Sequence, residues 1–439
     1  MSPDPQGTPQ EQEEGHNLVV LALLAFVAGA AVGLVGACFR RALEQADRWR
    51  EELISWAHVE MGGAGLLPVA AVCAAAVSLA AWMVRRYAPP ASGSGIPHVE
   101  AVLNGDLPQA PFRLIPVKFV GGILAIGPGL ALGREGPSVQ MGASIAHLIG
   151  QVFRRGWPDC RELLAAGAGA GLATAFNAPM AGAVFVLEEL VKRFETRVAI
   201  TALAASASAM AVARVLLGDA PDFHAPSLIY PGAATKSLFF ALGAVCGLVA
   251  IAYNRTLLGV LAAMDRLGEW PVELRAGLIG AAVGIIAWFE PTLVGGGDAL
   301  TQRALDGREA LGVLPLLFLA RFALGAVSYA AGTPGGLFAP MLVLGAELGL
   351  AVGILCRFAF PHLDVQVEGF ALVGMAAFFT GVVRAPLTGI VLVSEMTGSV
   401  ALLLPLLGAC AMGMLVPTLL GDAPVYDSLR ERTLGKTIC

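Results

Sequence analysis

The chain has 439 residues, of which 56% are hydrophobic and 14% are charged, with a mean hydropathy of +0.73. This composition excludes an ordinary soluble globular protein. The formal net charge of -5 is spread over short loops and an acidic N-terminal stretch, and no basic cluster favours a nucleic-acid partner. We therefore predict a helical protein that crosses the lipid bilayer several times.

Apolar stretches long enough to span a bilayer recur along the chain. Uninterrupted stretches cover residues 17–39, 64–84, 235–262 and 400–420, and others, broken by Gly and Pro, lie around 163–190, 312–330 and 338–358. The first stretch follows acidic residues and is too long for a cleavable signal peptide. The seven cysteines are isolated, without metal-ligand spacing, so we expect small core residues and no metal site.

Positive charges suggest an orientation. Four arginines follow the first apolar stretch (Arg40, Arg41, Arg48 and Arg50), and three basic residues lie in the C-terminal tail (Arg430, Arg432 and Lys436). The positive-inside rule places both regions in the cytoplasm. The short polar N-terminus is left ambiguous by this rule.

The chain contains an internal repeat. The segment APMAGAVFVLE (178–188) reappears as APLTGIVLVSE (385–395), 207 residues later, and GPSVQMGA (136–143) reappears as APMLVLGA (339–346), 203 residues later. Two matches in one order and at nearly one offset predict a duplicated membrane domain. Duplication combined with interrupted helices is typical of transporters, whose sites lie where the halves meet. The alternative is that these small residues only form tight helix–helix contacts.

The repeat predicts five regions along the chain. They are an N-terminal tail (1–17), a first membrane repeat (18–214), a linker (215–235), a second membrane repeat (236–420) and a C-terminal segment (421–439).

Three segments combine Gly and Pro just before an apolar stretch: GSGIP (93–97), GREGP (133–137) and GGLFAP (335–340). Each predicts a helix that begins with Pro in its first turn, and the repeat makes GREGP and GGLFAP facing partners. Free N–H groups at helix N-termini attract anions without a full positive charge, so a bound anion can also leave. Ser94 adds a hydroxyl donor, although it could instead be a plain helix cap.

Together these motifs, in this order and followed by Tyr426 in PVYDSLRER, resemble the CLC family of chloride channels and chloride/proton exchangers. The resemblance covers residues 18–435. It implies an all-α polytopic membrane protein of two inverted-topology repeats and about eighteen helices. It also implies a homodimer with one pore per subunit, in the cell inner membrane, with both termini cytoplasmic.

The resemblance further implies a set of site residues. The anion-binding residues would be Ser94, Gly136, Leu337, Phe338 and Tyr426, with the Glu135 amide helping to form the outer site. The remaining residues of the selectivity motifs are Gly93, Gly95, Ile96, Pro97, Gly133, Arg134, Pro137, Gly335, Gly336, Ala339 and Pro340. Chloride would be the transported ligand, and no cofactor is expected.

Glu135 lies at a predicted helix N-terminus, where its carboxylate competes with chloride for the same N–H groups. Protonation removes that attraction, so the side chain can leave. The family uses this position for its gating glutamate; the alternative is a structural capping residue or one paired with arginine. Arg134 either tunes the outer potential or pairs with an acid at the extracellular mouth, and we do not assign it as an anion ligand.

Two adjacent carboxylates, Glu188 and Glu189, bear on proton coupling. In the repeat Glu188 corresponds to Glu395, which indicates a duplicated scaffold role such as satisfying a helix end, whereas Glu189 corresponds to Met396. By resemblance Glu189 is the internal proton glutamate; the alternative is a solvated acid near the end of its helix. Glu135 and Glu189 together predict an antiporter that moves about two chloride ions against one proton, and the alternative is a passive channel of the same fold.

A few other charged residues carry weaker expectations. His98 stands where many relatives have an acid and either adds pH sensitivity or lies in a surface loop. Lys118 and Glu100 are expected to form a structural ion pair near the inner vestibule. The six histidines show neither a metal-ligand nor a catalytic-triad pattern, so we do not expect an enzyme.

Overall fold

The computed structural model describes residues 9–225, 228, 230 and 232–438, and in these residues the chain is built from α-helices with no β-strand. The helices are α1 (Pro9–Met61), α2 (Leu66–Tyr87), α3 (Ile96–Asn104), α4 (Leu114–Ile126), α5 (Glu135–Val152), α6 (Trp157–Phe176), α7 (Pro179–Phe185), α8 (Thr196–Leu217), α9 (Ala233–Arg266), α10 (Val272–Phe289), α11 (Asp298–Leu305), α12 (Leu314–Tyr329), α13 (Phe338–Ala359), α14 (Val367–Val383), α15 (Pro386–Thr397), α16 (Leu403–Leu419) and α17 (Val425–Ile438).

Helix α8 ends at Leu217 and α9 begins at Ala233, so the gap between them falls in the proposed linker. The order of long and short helices in α1–α8 is repeated in α9–α16. The five-part division of the chain stays a prediction. Parts of its N-terminal tail (1–8) and linker (226, 227, 229 and 231), and residue 439, lie outside the described residues.

Several segments are long and apolar enough to cross a membrane. In the described part of the chain they cover Asn17–Tyr87, Thr196–Leu217, Thr235–Arg266, Val272–Phe289 and Phe338–Ala359. Other apolar helices are shorter, among them α4, α12, α14, α15 and α16. Short helices end inside the protein, and their unpaired backbone groups must then find partners there, because the hydrocarbon offers none.

Helices pack closely through glycines at corresponding positions of the two halves. A Cβ added to Gly167 of α6 would collide with the carbonyl oxygen of Gly142 on α5, and one added to Gly345 of α13 would collide with that of Gly374 on α14. Small residues let membrane helices approach backbone to backbone. The alternative given above, that small residues only form tight helix–helix contacts, therefore applies to these glycines inside helices.

The end of α5 and the start of the first apolar stretch lie on one side of the protein. Arg155, three residues beyond the end of α5, donates to the Asn17 side chain of α1 at 3.0 Å. Because the 18-residue α5 is about 27 Å long, Asn17 lies well away from the Glu135 end of α5. We call the side on which α5 begins the Glu135 side, and the other the opposite side.

Helix α17 also lies on the opposite side. Arg155 pairs with Asp159 at 2.6 Å, and Asp159 also pairs with Arg197. Lys192, shortly before Arg197 in the chain, pairs with Asp427 of α17 at 3.0 Å. Two groups of ion pairs, joined by the short segment from Lys192 to Arg197, thus place the starts of α6, α8 and α17 on the same side.

The first group of arginines is on the other side. Arg40 pairs with Asp222 at 2.8 Å, and Asp222 pairs with Arg134 beside Glu135 at 3.2 Å. Arg432 of α17 pairs instead with Asp265 at the end of α9. The expectation that both groups of basic residues share the cytoplasmic side is therefore wrong. Arg40 is paired with the buried acid Asp222, a partner that counting positive charges along the chain does not reveal.

Candidate functional site

Three helices begin around one point. Helices α3, α5 and α13 start with Pro97, Pro137 and Pro340 in their first turns, as predicted. The loops before α5 and α13 are tied to each other: Gly133 donates to the Gly336 carbonyl at 2.9 Å, and Gly336 donates back at 2.7 Å. The predicted facing of GREGP and GGLFAP is confirmed.

The third loop joins the same arrangement. Gly93 of GSGIP donates to the Thr333 carbonyl at 3.0 Å, and Gly335 donates to the Gly93 carbonyl at 3.1 Å. These bonds satisfy loop backbone groups that the membrane interior could not. The N-termini of α3, α5 and α13 are thereby held together by bonds between the two halves.

The Glu135 carboxylate is fully buried between the two halves. Its Oε1 accepts a hydrogen bond from the backbone N–H of Phe338, the first residue of α13, at 2.6 Å. A Cβ on Gly133 or Gly336 would collide with the carboxylate in this position, and one on Gly336 would also collide with the backbone nitrogen of Gly136. The carboxylate thus takes up a helix N-terminal donor of the kind that binds anions.

Ser94 and Tyr426 lie next to this point. Tyr426, in the first turn of α17, brings its hydroxyl close to the Ser94 side chain. Both hydroxyls are buried, and neither makes a hydrogen bond of normal geometry to a described protein group. Buried polar groups normally have partners, so two such hydroxyls together mark a place where a polar ligand fits.

Gly136 and Leu337 complete the predicted anion-binding set. A Cβ on Gly136 would come within 2.6 Å of the Ser94 carbonyl oxygen, so the first turn of α5 packs directly on Ser94. Leu337 is buried immediately before α13, and the Phe338 ring lies 5.9 Å from the Tyr426 ring. The structure brings the predicted residues together; their roles in binding stay predictions.

Sequence reasoning missed the aromatic wall around Phe338. Its ring packs against Phe176, Phe185 and Phe379 at centroid distances of 6.1, 5.7 and 4.7 Å. The repeat did not point to them, because at the local offset of 207 residues Phe176 corresponds to Val383 and not to Phe379. The wall keeps water away from the site and strengthens the electrostatic interactions there.

Tyr329 was also missed. Its hydroxyl accepts the Ser94 N–H at 3.3 Å, so that amide is already paired. Tyr329 also lines a cavity of about 720 Å³ together with Ser92, Gly95 and His98. His98 lies half-buried in α3, so its interpretation as a surface-loop residue is wrong. This cavity leads from α17 to the Ser94 loop.

Lys118 does not form the expected pair with Glu100. The fully buried Nζ of Lys118 donates to the carbonyl oxygens of Ala91 at 3.0 Å and Gly93 at 2.7 Å. The cation nearest Glu100 is Lys192, at 3.9 Å. The pairing expectation failed because the loop carbonyls before α3 needed a donor, a requirement that sequence spacing does not reveal.

Glu189 lies in a single π-helical turn, Val186–Leu190, that continues α7. It is 3% exposed and lies near Glu100 and Lys192. The alternative of a solvated acid is therefore wrong. π-turns interrupt regular helical bonding and are frequent at functional sites.

Glu188 has the scaffold role predicted for it. It accepts hydrogen bonds from the backbone N–H groups of Leu387 and Thr388 at the start of α15, at 2.9 and 2.6 Å. Glu395 in α15 accepts from Met180 and Ala181 at the start of α7, at 3.1 and 2.8 Å. Each half thus caps a helix of the other.

Comparisons with known proteins agree with this arrangement. A profile of the family described as voltage gated chloride channel matches residues 73–418. The H(+)/Cl(-) exchange transporter ClcA of Vibrio cholerae serotype O1 is 38% identical over 419 residues, covering 94% of this chain and 89% of the relative. The chain belongs to the CLC family.

Further CLC proteins are similar along nearly the whole chain. ClcA of Yersinia pseudotuberculosis is 37% identical over 425 residues, covering 95% of this chain and 88% of the relative. The crystal structure of a slow cyanobacterial Cl-/H+ antiporter superposes with a TM-score of 0.91 at 34% identity, covering 95% of this chain and 99% of that one.

A eukaryotic CLC transporter shares the fold, with a TM-score of 0.80 at 22% identity over 94% of this chain and 74% of that one. The predicted all-α CLC fold is confirmed, and the described part of the chain has 17 α-helices against about eighteen expected. The protein is a multi-pass membrane protein of this family.

Proposed function

We propose that this protein is a secondary transporter, not an enzyme, that exchanges chloride for protons, about two chloride ions for each proton. The observation that carries the proposal is the Glu135 carboxylate bound to the first amide of α13. Names of relatives, including the H(+)/Cl(-) exchange transporter ClcA of Vibrio cholerae, support the same assignment.

The geometry suggests how one site serves both ions. While ionised, Glu135 holds the α13 amide and excludes chloride from it. Once protonated it is neutral and loses its attraction for the helix N-terminus, so chloride displaces it. Chloride then continues past the hydroxyls of Ser94 and Tyr426, which are free to donate to it.

Protons need a separate route on the opposite side. Glu189 supplies a second buried carboxylate there, close to Lys192 and the start of α17. A buried carboxylate with an ionisable neighbour can accept a proton from that side and pass it toward Glu135. The two routes meet at Glu135. They couple the two ions because the Glu135 side chain must leave the position that chloride occupies when it takes up a proton.

We also propose that the protein lies in the cell inner membrane with both termini in the cytoplasm and Glu135 facing outward. Bacterial relatives support the location. Asn17 and Asp427 lie on the same side of the protein, which supports placing the N-terminal and C-terminal ends on one side of the membrane. Tagging either end and measuring protease accessibility in intact cells tests the orientation.

We further propose a homodimer with one pore per subunit. Ser94, Glu135, Phe338 and Tyr426 all come from one chain, so a single subunit contains the complete path. Chemical crosslinking in detergent tests the dimer.

Transport is tested in liposomes with a chloride gradient and a pH electrode. We expect the gradient to drive protons uphill, and we expect Glu189→Val to abolish proton movement while chloride flux continues. Chloride flux without uphill proton movement in the unmodified protein would instead establish a passive channel. Absence of any chloride flux would exclude both.

A further inference from the structure

A short segment crosses the Glu135 side of the protein just after α8. Residues 220–224, which we call the strap, are fixed to the second half at two points. Phe223 is buried, and its N–H donates to the Met396 carbonyl at the end of α15 at 3.0 Å. His224 and the Gln302 side chain of α11 exchange two hydrogen bonds of 2.9 Å. The strap is therefore an ordered covering.

Asp222 of the strap lies between two arginines. Its carboxylate is 2.8 Å from Arg40 of α1 and 3.2 Å from Arg134, and its side chain is only 5% exposed. Arg134 is held in place from behind, because its Nε donates to the Ala175 carbonyl at 2.8 Å. The two guanidinium groups thus form a fixed, largely buried cationic pair around one carboxylate.

This cationic pair borders the proposed anion path. A cavity of about 80 Å³ is lined by Arg40, Arg134 and Asp222, and also by Gly133 and Ala339, which flank the Glu135 carboxylate and the start of α13. One water occupies about 30 Å³ of liquid, so the cavity has room for a small anion with some of its hydration.

The other acids near this cavity make weaker contacts with Arg40 and Arg134 than Asp222 does. Asp298 reaches Arg134 only at 3.9 Å and is 64% exposed, and Asp47 pairs with Arg50 at 2.6 Å. Glu44, one turn further along α1, pairs with Arg40 at 3.1 Å, but its side chain is 45% exposed and does not line the cavity. Asp222 is therefore the buried carboxylate that both arginines share. If it moved away, Arg134 and Arg40 would face the cavity next to Glu135, with the exposed Glu44 as the remaining partner of Arg40.

We propose that Arg40 and Arg134 form a capture site for a small monovalent anion on the Glu135 side, and that Asp222 occupies it as a tethered competitor. The inference rests on the proposed chloride transport. An unopposed arginine pair would hold chloride too tightly for rapid passage, whereas a competing carboxylate lets a captured anion leave again. Asp222 would then compete for the arginines as Glu135 competes for the α13 amide, and its side chain would turn away from them each time an anion enters.

The test is chloride flux with the chloride concentration varied on one side at a time, in protein oriented uniformly in the bilayer. Asp222→Asn keeps the shape of the side chain and removes the competing charge. We expect the apparent KM for chloride on the Glu135 side to fall about tenfold, with KM on the opposite side unchanged. Asp219→Asn is the matched control, because Asp219 is an exposed acid close by that pairs with Arg214, outside this cavity.

Arg40→Gln provides a second, independent variant. It leaves Glu135 and its neighbours in place, and we expect it to raise KM on the Glu135 side only. Unchanged KM in both variants, or equal changes on both sides, overturns the capture site. Absence of chloride flux in the unmodified protein would overturn the proposed function itself, so the two failures are distinguishable.

Discussion

The two halves of the membrane region have some charged residues in common and differ in others. Glu188 of the first half and Glu395 of the second each cap a helix of the other half. Lys118 holds the carbonyls of the loop before α3, and Arg321, 203 residues later, holds those of the loop before α11 at 2.8–3.0 Å. These charges form hydrogen bonds with backbone groups, and each has a counterpart in the other half.

Other charges exist once. Glu135 corresponds to Phe338 at the repeat offset, and the structure places these two residues in direct contact, one as acceptor and one as donor. Glu189 corresponds to Met396, whose backbone receives the strap. The comparison teaches that these duplicated charges hold the scaffold, whereas the two carboxylates to which we assign proton transport, Glu135 and Glu189, have no acidic counterpart in the other half.

The largest effect is expected from removing the unmatched acid at the centre. Glu135→Ala takes away the carboxylate that occupies the Phe338 amide, so we expect proton movement to vanish and chloride flux to persist without pH dependence. The measurement is paired chloride and proton flux in liposomes. Glu188→Gln, which keeps the Glu135 carboxylate and the Phe338 amide, is the control and should retain uphill proton transport. If proton transport survived in Glu135→Ala, the assignment of proton transport to this unmatched carboxylate would be wrong.

An intermediate effect is expected from the buried cations. Lys118→Met and Arg321→Met each leave loop carbonyls without a donor, which should cost about 2–3 kcal/mol of stability. Thermal unfolding in detergent measures this loss. Because Gly93 precedes Ser94, we expect Lys118→Met also to change the apparent KM for chloride, and Arg321→Met to leave it unchanged. Equal effects on KM would show that the loop before α3 has no special part in transport.

The smallest effect is expected from the capping acids. Glu188→Gln and Glu395→Gln keep an acceptor oxygen but lose the charge, so each should lower stability by about 1 kcal/mol. The ratio of chloride to proton flux should stay unchanged in both. A changed ratio in Glu188→Gln alone would mean that this residue takes part in proton transfer beside Glu189.

Much of the site could be predicted because it depends on backbone chemistry. Gly–Pro segments before apolar stretches predicted the starts of α3, α5 and α13, and the repeat predicted which loops would meet. The same repeat separated Glu188 from Glu189 by comparing each with its counterpart. Local patterns are sufficient there, because helix starts and repeat symmetry are written in short stretches of chain.

Partners of individual charges could not be predicted in this way. Lys118 was expected to pair with Glu100 and binds carbonyls instead, and Arg40 was expected on the same side as the C-terminal helix but lies on the other side of the protein. Each partner lies far away in sequence, or is a backbone group that no side-chain pattern reveals.

The amino-acid sequence by itself determined that this chain is a duplicated, all-helical membrane protein with anion-attracting helix starts and two unmatched acids. Those properties follow from hydropathy, Gly and Pro placement and repetition, which are local. Only the tertiary structure decided that Glu135 occupies the Phe338 amide, that Glu189 is buried, and that Asp222 neutralises Arg40 and Arg134. These depend on how distant segments pack, because a buried charge takes the partner that the fold brings within reach.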